Sequence, residues 1–368
     1  MKFSLDRDTF ARVLKKIDGV CSSRGSFAIL NSCMIEAKGN SIIVTGTDLD
    51  ITLKAVENAH IIEEGIVIIN ANRLLNTVQN QSPGSEILVT SEVNQVLIEA
   101  GNFRARIPSG DIADYPSIPQ FELSSSLTMS ALTFKDLIDK TMFSISKDDS
   151  RPEFTGALLK ISQNGNVEMV STDGHRLSRA SASINVSGEF PAIFESGVII
   201  PRKGLFELTK NLLDSQVSLD ISGTKIIVSC GSTMFCINLI AGQFPDFSKV
   251  IPLKLDHKAV VKRDIFQQIL KRASIFTAKA NTIRLTMSPG MLEVSTFDKN
   301  SGEMRDFIDA EYEGSGVTAG FNWSYISEIL SALDGEYVTL EIIDMDSPAV
   351  IRDVDTDKLD YIVMPMQL

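Results

Sequence analysis

The chain has 368 residues, 43% of them hydrophobic and 22% charged, with a formal net charge of −12. That balance excludes a disordered chain or a coiled coil, and a third of the length is a common domain size. The acidity, taken alone, argues against nucleic acid as a partner. Cys21, Cys33, Cys230 and Cys236 form no CxxC pair and no metal spacing, so the expectation is a reducing cytosol, no metal and no cofactor. The N-terminus, Met1-Lys2-Phe3-Ser4-Leu5-Asp6-Arg7-Asp8, is charged too early for a secretory signal. No apolar run approaches the ~18 residues of a membrane-spanning helix.

In chain order, one script is read three times. A short alternating strand opens each third: Phe3-x-Leu5, then Leu127-x-Met129-x-Ala131, then Ala259-x-Val261. A cap candidate follows (Asp8, Thr133, Asp264), then an amphipathic helix led by Phe10, Phe134 or Phe266. Those helices bury Phe10, Val13, Leu14, Ile17; Phe134, Leu137, Ile138, Met142; and Phe266, Ile269, Leu270, Ala273. Two strands come next, and a Thr/Asp turn ends the second, at Thr47-Asp48, Thr172-Asp173 and Thr296-Phe297-Asp298. A strand near Gly65, Gly197 or Gly316 leads into a second helix, and two strands close each third. Proline-containing stretches at 114–119 and 244–252 read as linkers. The expected fold is α+β, with two helices packed on antiparallel sheets in each of three tandem domains, 1–122, 123–253 and 254–368.

The face of the first helix opposite its apolar stripe carries Lys15 and Lys16, Asp139 and Lys140, Lys271 and Arg272 in the three copies. Residues 7–24, 202–210 and 258–279 sum to +3, +2 and +5, leaving −22 for the rest of the chain. Solvated lysines on exposed faces are the plain reading. A basic surface for a phosphate backbone, blind to sequence, is the functional one.

Catalysis has one foothold, Asp173 near His175, which is one of three histidines. The same turn recurs in the other copies, and no nucleophile elbow, P-loop or zinc motif is present, so the expectation is no enzyme. What is peculiar to the second copy is Gly174-His175-Arg176-Leu177. The last residues, Tyr361 to Leu368, are apolar to the end and read either as a core strand or, given Pro365 and two methionines, as a peptide-binding surface.

These features together make the chain resemble the bacterial DNA polymerase III β subunit family, the β sliding clamps, along its whole length. The residues that carry the resemblance are the threefold repeat, Thr172-Asp173-Gly174-His175-Arg176-Leu177, Phe244-Pro245-Asp246, Gly320-Phe321-Asn322 with Tyr325, and Met364-Pro365-Met366-x-Leu368. The resemblance implies a cytoplasmic processivity factor that forms a head-to-tail homodimer, a ring of six clamp domains around duplex DNA. It implies DNA contact, independent of sequence, through Arg24, Arg73, Lys15, Lys16, Arg202, Lys203, Lys271 and Arg272. It also implies a hydrophobic pocket between the second and third domains for peptide motifs of polymerase subunits, the clamp loader and repair polymerases, with no membrane partner. By motif position the pocket wall is Arg151, Phe154, Thr172, Gly174, His175, Arg176, Leu177, Pro245, Lys249, Val250, Asn322, Tyr325, Pro348, Ile362, Val363, Met364, Pro365, Met366 and Leu368. Dimer contacts are expected at Ile107, Ile275 and Phe276. Gln367 and Ala280 depart from the family pattern, at positions where arginine and an aromatic are usual. Two other classes stay open on the residues alone: an enzyme using Asp173 and His175, and a tandem scaffold that binds proteins but not DNA.

Overall fold

The computed structural model describes residues 1–21, 27–119, 121, 123, 126–148, 150–186, 190–213, 215–252, 257–277, 281–299 and 301–367. The first repeat runs β1 (Lys2–Asp6), α1 (Arg7–Val20), β2 (Ser32–Lys38), β3 (Ser41–Thr47), β4 (Ile51–Asn58), β5 (His60–Glu63), β6 (Gly65–Asn70), α2 (Ala71–Gln79), β7 (Glu86–Glu92), β8 (Gln95–Ala100) and β9 (Phe103–Gly110). The second runs β10 (Leu127–Ser130), α3 (Ala131–Thr141), β11 (Gly156–Ile161), β12 (Asn166–Thr172), β13 (Arg176–Ser183), α4 (Ile193–Ser196), β14 (Val198–Pro201), α5 (Arg202–Asn211), β15 (Gln216–Ser222), β16 (Lys225–Cys230) and β17 (Thr233–Asn238). The third runs β18 (His257–Lys262), α6 (Arg263–Ala273), β19 (Thr282–Ser288), β20 (Met291–Asp298), β21 (Gly302–Glu311), β22 (Val317–Asn322), α7 (Trp323–Ala332), β23 (Tyr337–Ile342), β24 (Ala349–Asp353) and β25 (Leu359–Val363). The second and third repeats therefore have four strands between their two long helices and the first has five, counting the short β5, against the three expected from sequence; three strands, not the expected two, follow the second long helix in each repeat. The expected boundaries fall at Glu122, Leu253 and Lys254, outside the described residues.

By compactness the chain divides into two units: residues 1–135, 186–193 and 203–239, and residues 136–185, 194–202 and 240–368. Each is built on one sheet. The first sheet has the order β10-β15-β16-β17-β4-β3-β2-β6-β9-β8-β7-β1-β5, the second β14-β11-β12-β13-β25-β24-β23-β18-β21-β20-β19-β22. The middle repeat contributes strands to both. Its last strand, β17, pairs antiparallel with β4 of the first repeat, and β13, the third strand after its first helix, pairs with β25, the last of the third repeat. The rule is the same at both junctions: the third strand after the first helix of one repeat pairs with the last strand of the next. Continuing the rule leaves β9 and β21 over. β9 pairs with β8, and beyond it only through Ser109 and Gly110. β21 pairs with β20, and beyond it only through Ala310 and Glu311.

The first helices bury the faces their periodicity predicts. Phe10, Val13, Leu14 and Ile17 are buried on α1, and Phe266, Ile269, Leu270 and Ala273 on α6. On the α3 stripe Phe134, Leu137 and Ile138 are buried, while Met142 falls in a 3₁₀ turn after the helix and is half-buried. The helices begin earlier than their expected caps. Asp6, not Asp8, caps α1 by accepting from the Thr9 amide at 2.9 Å. Ser130 accepts from Thr133 at 3.4 Å, and Lys262 occupies the position before α6. Asp8 and Asp264 instead sit in the first turns, where a carboxylate suits the helix dipole.

Candidate functional site

The second unit holds an apolar cluster at the β13–β25 junction. Leu158 (β11), Val170 (β12), Leu177 (β13), Ile199 (β14), Val350 (β24), Ile362 (β25) and Phe244 are buried together, and half-buried Ile240, Phe247 and Ile251 pack against them. Register sets this up. Leu177 pairs with Ile362 and Ile362 with Val350, so three strands present apolar side chains in one row. Phe244 extends the cluster toward a cleft, its ring 6.3 Å from that of Phe154.

The cleft encloses about 440 Å³ and includes Arg151, Phe154, Asp173, His175, Arg176, Ser324 and Tyr325 in its walls. The Thr172-Asp173 turn forms one lip. Thr172 donates to the Arg176 carbonyl at 2.6 Å, and Asp173 accepts from the amides of His175 and Arg176 at 2.9 and 3.0 Å. Gly174 has φ 87°, a backbone conformation that favours glycine, and a Cβ there would sit 3.0 Å from the tip of the Arg151 side chain. Arg151 stacks over Phe154 at 4.6 Å.

Arg176 is buried, with each of its three nitrogens hydrogen-bonded. Its guanidinium donates to Asp173 at 3.1 Å, to the Phe143 carbonyl at 2.7 Å and to Glu328, and lies 4.4 Å over the Tyr325 ring. It fixes the cleft wall. Burial, with Asp173 nearby, pushes the Tyr325 hydroxyl pKa up. On the rim, Asp246 accepts from Ser248 and pairs with Lys249 at 3.2 Å. The Ser248 hydroxyl bond, then Lys249, holds its carboxyl below the usual range.

The C-terminal segment changes character after β25. Tyr361, Ile362 and Val363 are buried in β25, whereas Met364 is 37% exposed. The Met364 amide donates to the His175 carbonyl at 2.8 Å and the Met366 amide to the Gly320 carbonyl at 2.8 Å, so the tail is tied down on both sides of Pro365. Asn322 caps α7 by accepting from the Ser324 amide at 2.9 Å. Pro348 is half-buried just ahead of β24, and Pro245, Lys249 and Val250 are exposed beside Phe244. Thus the described wall residues expected from sequence all fall in one unit. Leu368 and Ala280 lie outside the described residues. Sequence reasoning missed most of the floor: Leu158, Val170, Ile199 and Val350.

The same junction in the first unit forms no such floor. Repeat-equivalent to Val170, Leu177, Ile362 and Phe244 are Thr45, Thr52, Cys236 and Tyr115. Thr47 and Thr52 bond each other at 2.9 Å, and the Tyr115 hydroxyl reaches the Thr45 carbonyl at 3.1 Å. Hydroxyls satisfied by the protein itself leave nothing for an apolar ligand to fill.

The expected DNA residues divide between the units. Lys15, Arg73, Lys271 and Arg272 are exposed, and Arg202 is half-buried. Three of the set are engaged: Lys16 donates to Thr233 at 3.0 Å, Lys203 pairs with Asp48, and the exposed Arg272 pairs with Asp306 at 2.6 Å. Arg24 lies outside the described residues. Lys140 corrects the expected outward face: it is 7% exposed and bonds Asp334 and the Ala332 carbonyl at the end of α7. Ile107 was expected at a dimer contact. It is 3% exposed, turned into its own sheet's core, while Arg104 and Arg106 occupy the outward positions of β9. Ile275 is 72% exposed and Phe276 half-buried, in the 3₁₀ turn after α6. No described helix is long and apolar enough to cross a membrane.

Family models described as the DNA polymerase III beta subunit N-terminal, central and C-terminal domains match residues 1–119, 128–246 and 248–367. A protein named beta sliding clamp from Haemophilus influenzae is 29% identical over 373 residues, covering all of both chains. A crystal structure of the DNA polymerase III subunit beta from Pseudomonas aeruginosa superposes with TM-score 0.94 at 27% identity, with full coverage of both chains. A sliding clamp from Bartonella birtlesii bound to griselimycin does so with TM-score 0.94 at 30% identity, again with both chains fully covered.

Proposed function

The chain belongs to the DNA polymerase III beta subunit family, the bacterial sliding clamps, and from that membership we propose that it encircles duplex DNA as a homodimer and tethers the replicative polymerase in the cytoplasm. The observation that carries the tethering role is the apolar floor at β13–β25 beside the Arg151–Tyr325 cleft. An extended peptide with two apolar anchors fills such a preformed site, and most of its binding energy comes from those few contacts. The clamp loader and repair polymerases compete for the same pocket. The family role is that of a processivity factor, and the Thr172-Asp173 turn is fully explained by its own backbone bonds. Three domains, 1–122, 123–253 and 254–368, follow from the repeat.

The strand rule supports the dimer. Pairing β9 of one protomer with β21 of the next satisfies both leftover edges by the geometry already used twice within the chain. It sets Arg104 and Arg106 on the same outer face as Glu303, with opposite charge. Head-to-tail pairing of this kind closes a ring when two protomers join. Lys15, Arg73, Lys271 and Arg272 then supply sequence-independent phosphate contacts.

The test is primer extension by a clamp-dependent replicative polymerase with its loader. Product length should rise sharply with the wild-type protein and not with a variant in which the pocket is blocked by Gly174→Trp. Short products in both cases would reject the tethering role.

A further inference from the structure

We propose that the outer sheet face of the third repeat is a second recognition surface, which takes the polar residues flanking a peptide motif already seated in the pocket; this rests on the pocket reading above. The face is concave, with a volume of about 750 Å³, and is built from β19, β20 and β21 with Gln367 at its edge. It is the repeat-equivalent of the pocket floor with its chemistry inverted. Register places Arg284, Ser295 and Glu303 where the pocket has Leu158, Val170 and Leu177. Such a lining rejects apolar anchors, because they would leave charged groups desolvated and unpaired.

What it accepts follows from which groups are already used. Glu293 holds Arg305 at 2.7 Å, so that pair is neutral. Arg284 is exposed and, among the described residues, makes no ion pair. Phe297 stands 74% exposed beside it. A carboxylate for Arg284, carried on a segment whose methylenes cover Phe297, satisfies both.

The occupant is identified by continuity. The tail that bonds the pocket lip at Met364 crosses to β22 at Met366, where the Thr282 hydroxyl meets its sulfur at 3.8 Å, and reaches this face at Gln367. Three residues of extended chain span ~10 Å. A peptide anchored against Ile362 and Met364 therefore reaches Arg284 with residues immediately outside its motif.

The experiment is fluorescence anisotropy with the full-length protein and three labelled probes. One is a six-residue core peptide with a Gln and a Leu-Phe anchor pair; the others add Ser-Glu-Glu-Ser at its N- or C-terminus. One extension should tighten binding about tenfold, the size of one charge-assisted contact. Arg284→Glu should erase that gain and leave core-peptide affinity unchanged, and Phe297→Ser should reduce it. The gain should also shrink as salt rises. Equal affinity for all three probes, or a gain that survives Arg284→Glu, overturns the proposal and leaves the pocket standing. Failure of the core peptide itself overturns the pocket reading, and the second surface with it.

Discussion

Arg179 of the second repeat donates to Asp360 of the third at 2.7 Å, across a register pair of β13 and β25. The bond is one rung of a ladder. Glu168 accepts from Arg179 at 3.0 Å, and Arg352 donates to Asp360 at 2.6 Å and to Glu341 at 3.1 Å. Signs alternate over five neighbouring strands, on the junction that also presents the pocket floor. Bonds to both carboxylates raise the Arg179 pKa against the opposing pull of burial.

Removing the shared cation leaves two largely buried carboxylates short of a partner. Arg179→Met should cost about 2–3 kcal/mol, since breaking such a pair exposes the desolvation of what remains. Urea denaturation measures it, and Arg179→Met with Glu168→Gln should recover part of the loss. An unchanged midpoint for the single variant would mean the ladder is solvated and structurally idle.

Deleting residues 364–368 should abolish binding of the core peptide while leaving the protein folded and dimeric. The cut falls after β25, so Ile362 and Val363 keep their pairing with β13 and β24. Anisotropy and sedimentation of the same preparation separate the outcomes. Loss of the dimer would make the tail part of the core.

Ile275→Asp should convert dimer to monomer at micromolar concentration. A carboxylate at a 72% exposed isoleucine costs the folded protomer nothing but is desolvated in the interface, at roughly 3 kcal/mol or about two orders of magnitude in Kd. Charge reversal at Glu303 should weaken the dimer less, and pairing it with Arg104→Glu should restore part. A dimer that withstands Ile275→Asp would place the contact elsewhere.

Burial, chiefly, with Asp18 adding to it, pushes the Cys21 thiol pKa up to about 12. Cys33 is also raised, by burial first. A raised thiol pKa keeps the neutral form, so the thiolate is withheld until pH approaches the folded value. Iodoacetamide at pH 8 should modify both slowly in the native protein and quickly in urea. The rim carboxylate of Asp246 shifts the other way. Its contribution is present above the ordinary value of 3.8 and is lost only as pH falls through the lower folded one, so peptide binding should not lose this turn between pH 8 and 5.

Much of this was legible in the sequence, for physical reasons. The period-3.6 stripes on α1 and α6 mark buried faces directly. The unusual Gly174-His175-Arg176 marked the pocket lip because it broke the repeat. The third strands were harder. β13 reads Arg-Leu-Ser-Arg-Ala-Ser-Ala-Ser, and its Arg179 is one member of an ion ladder whose next carboxylate, Asp360, is 181 residues away. β9 carries arginines and Pro108 because one edge is left open. Val170 and Leu158 could not be told from any core residue until register showed which face they share. Lys140 looked solvent-facing because its partner Asp334 is 194 residues distant.

The most direct test of the ring is retention on DNA. Labelled protein should be loaded by a clamp loader onto nicked circular plasmid and passed through a gel-filtration column, before and after the plasmid is cut once. A topological link predicts co-elution with the circle and loss from the linear form, with little binding in the absence of loader. Equal retention on both forms would mean ordinary affinity, and no retention on the circle would contradict encirclement.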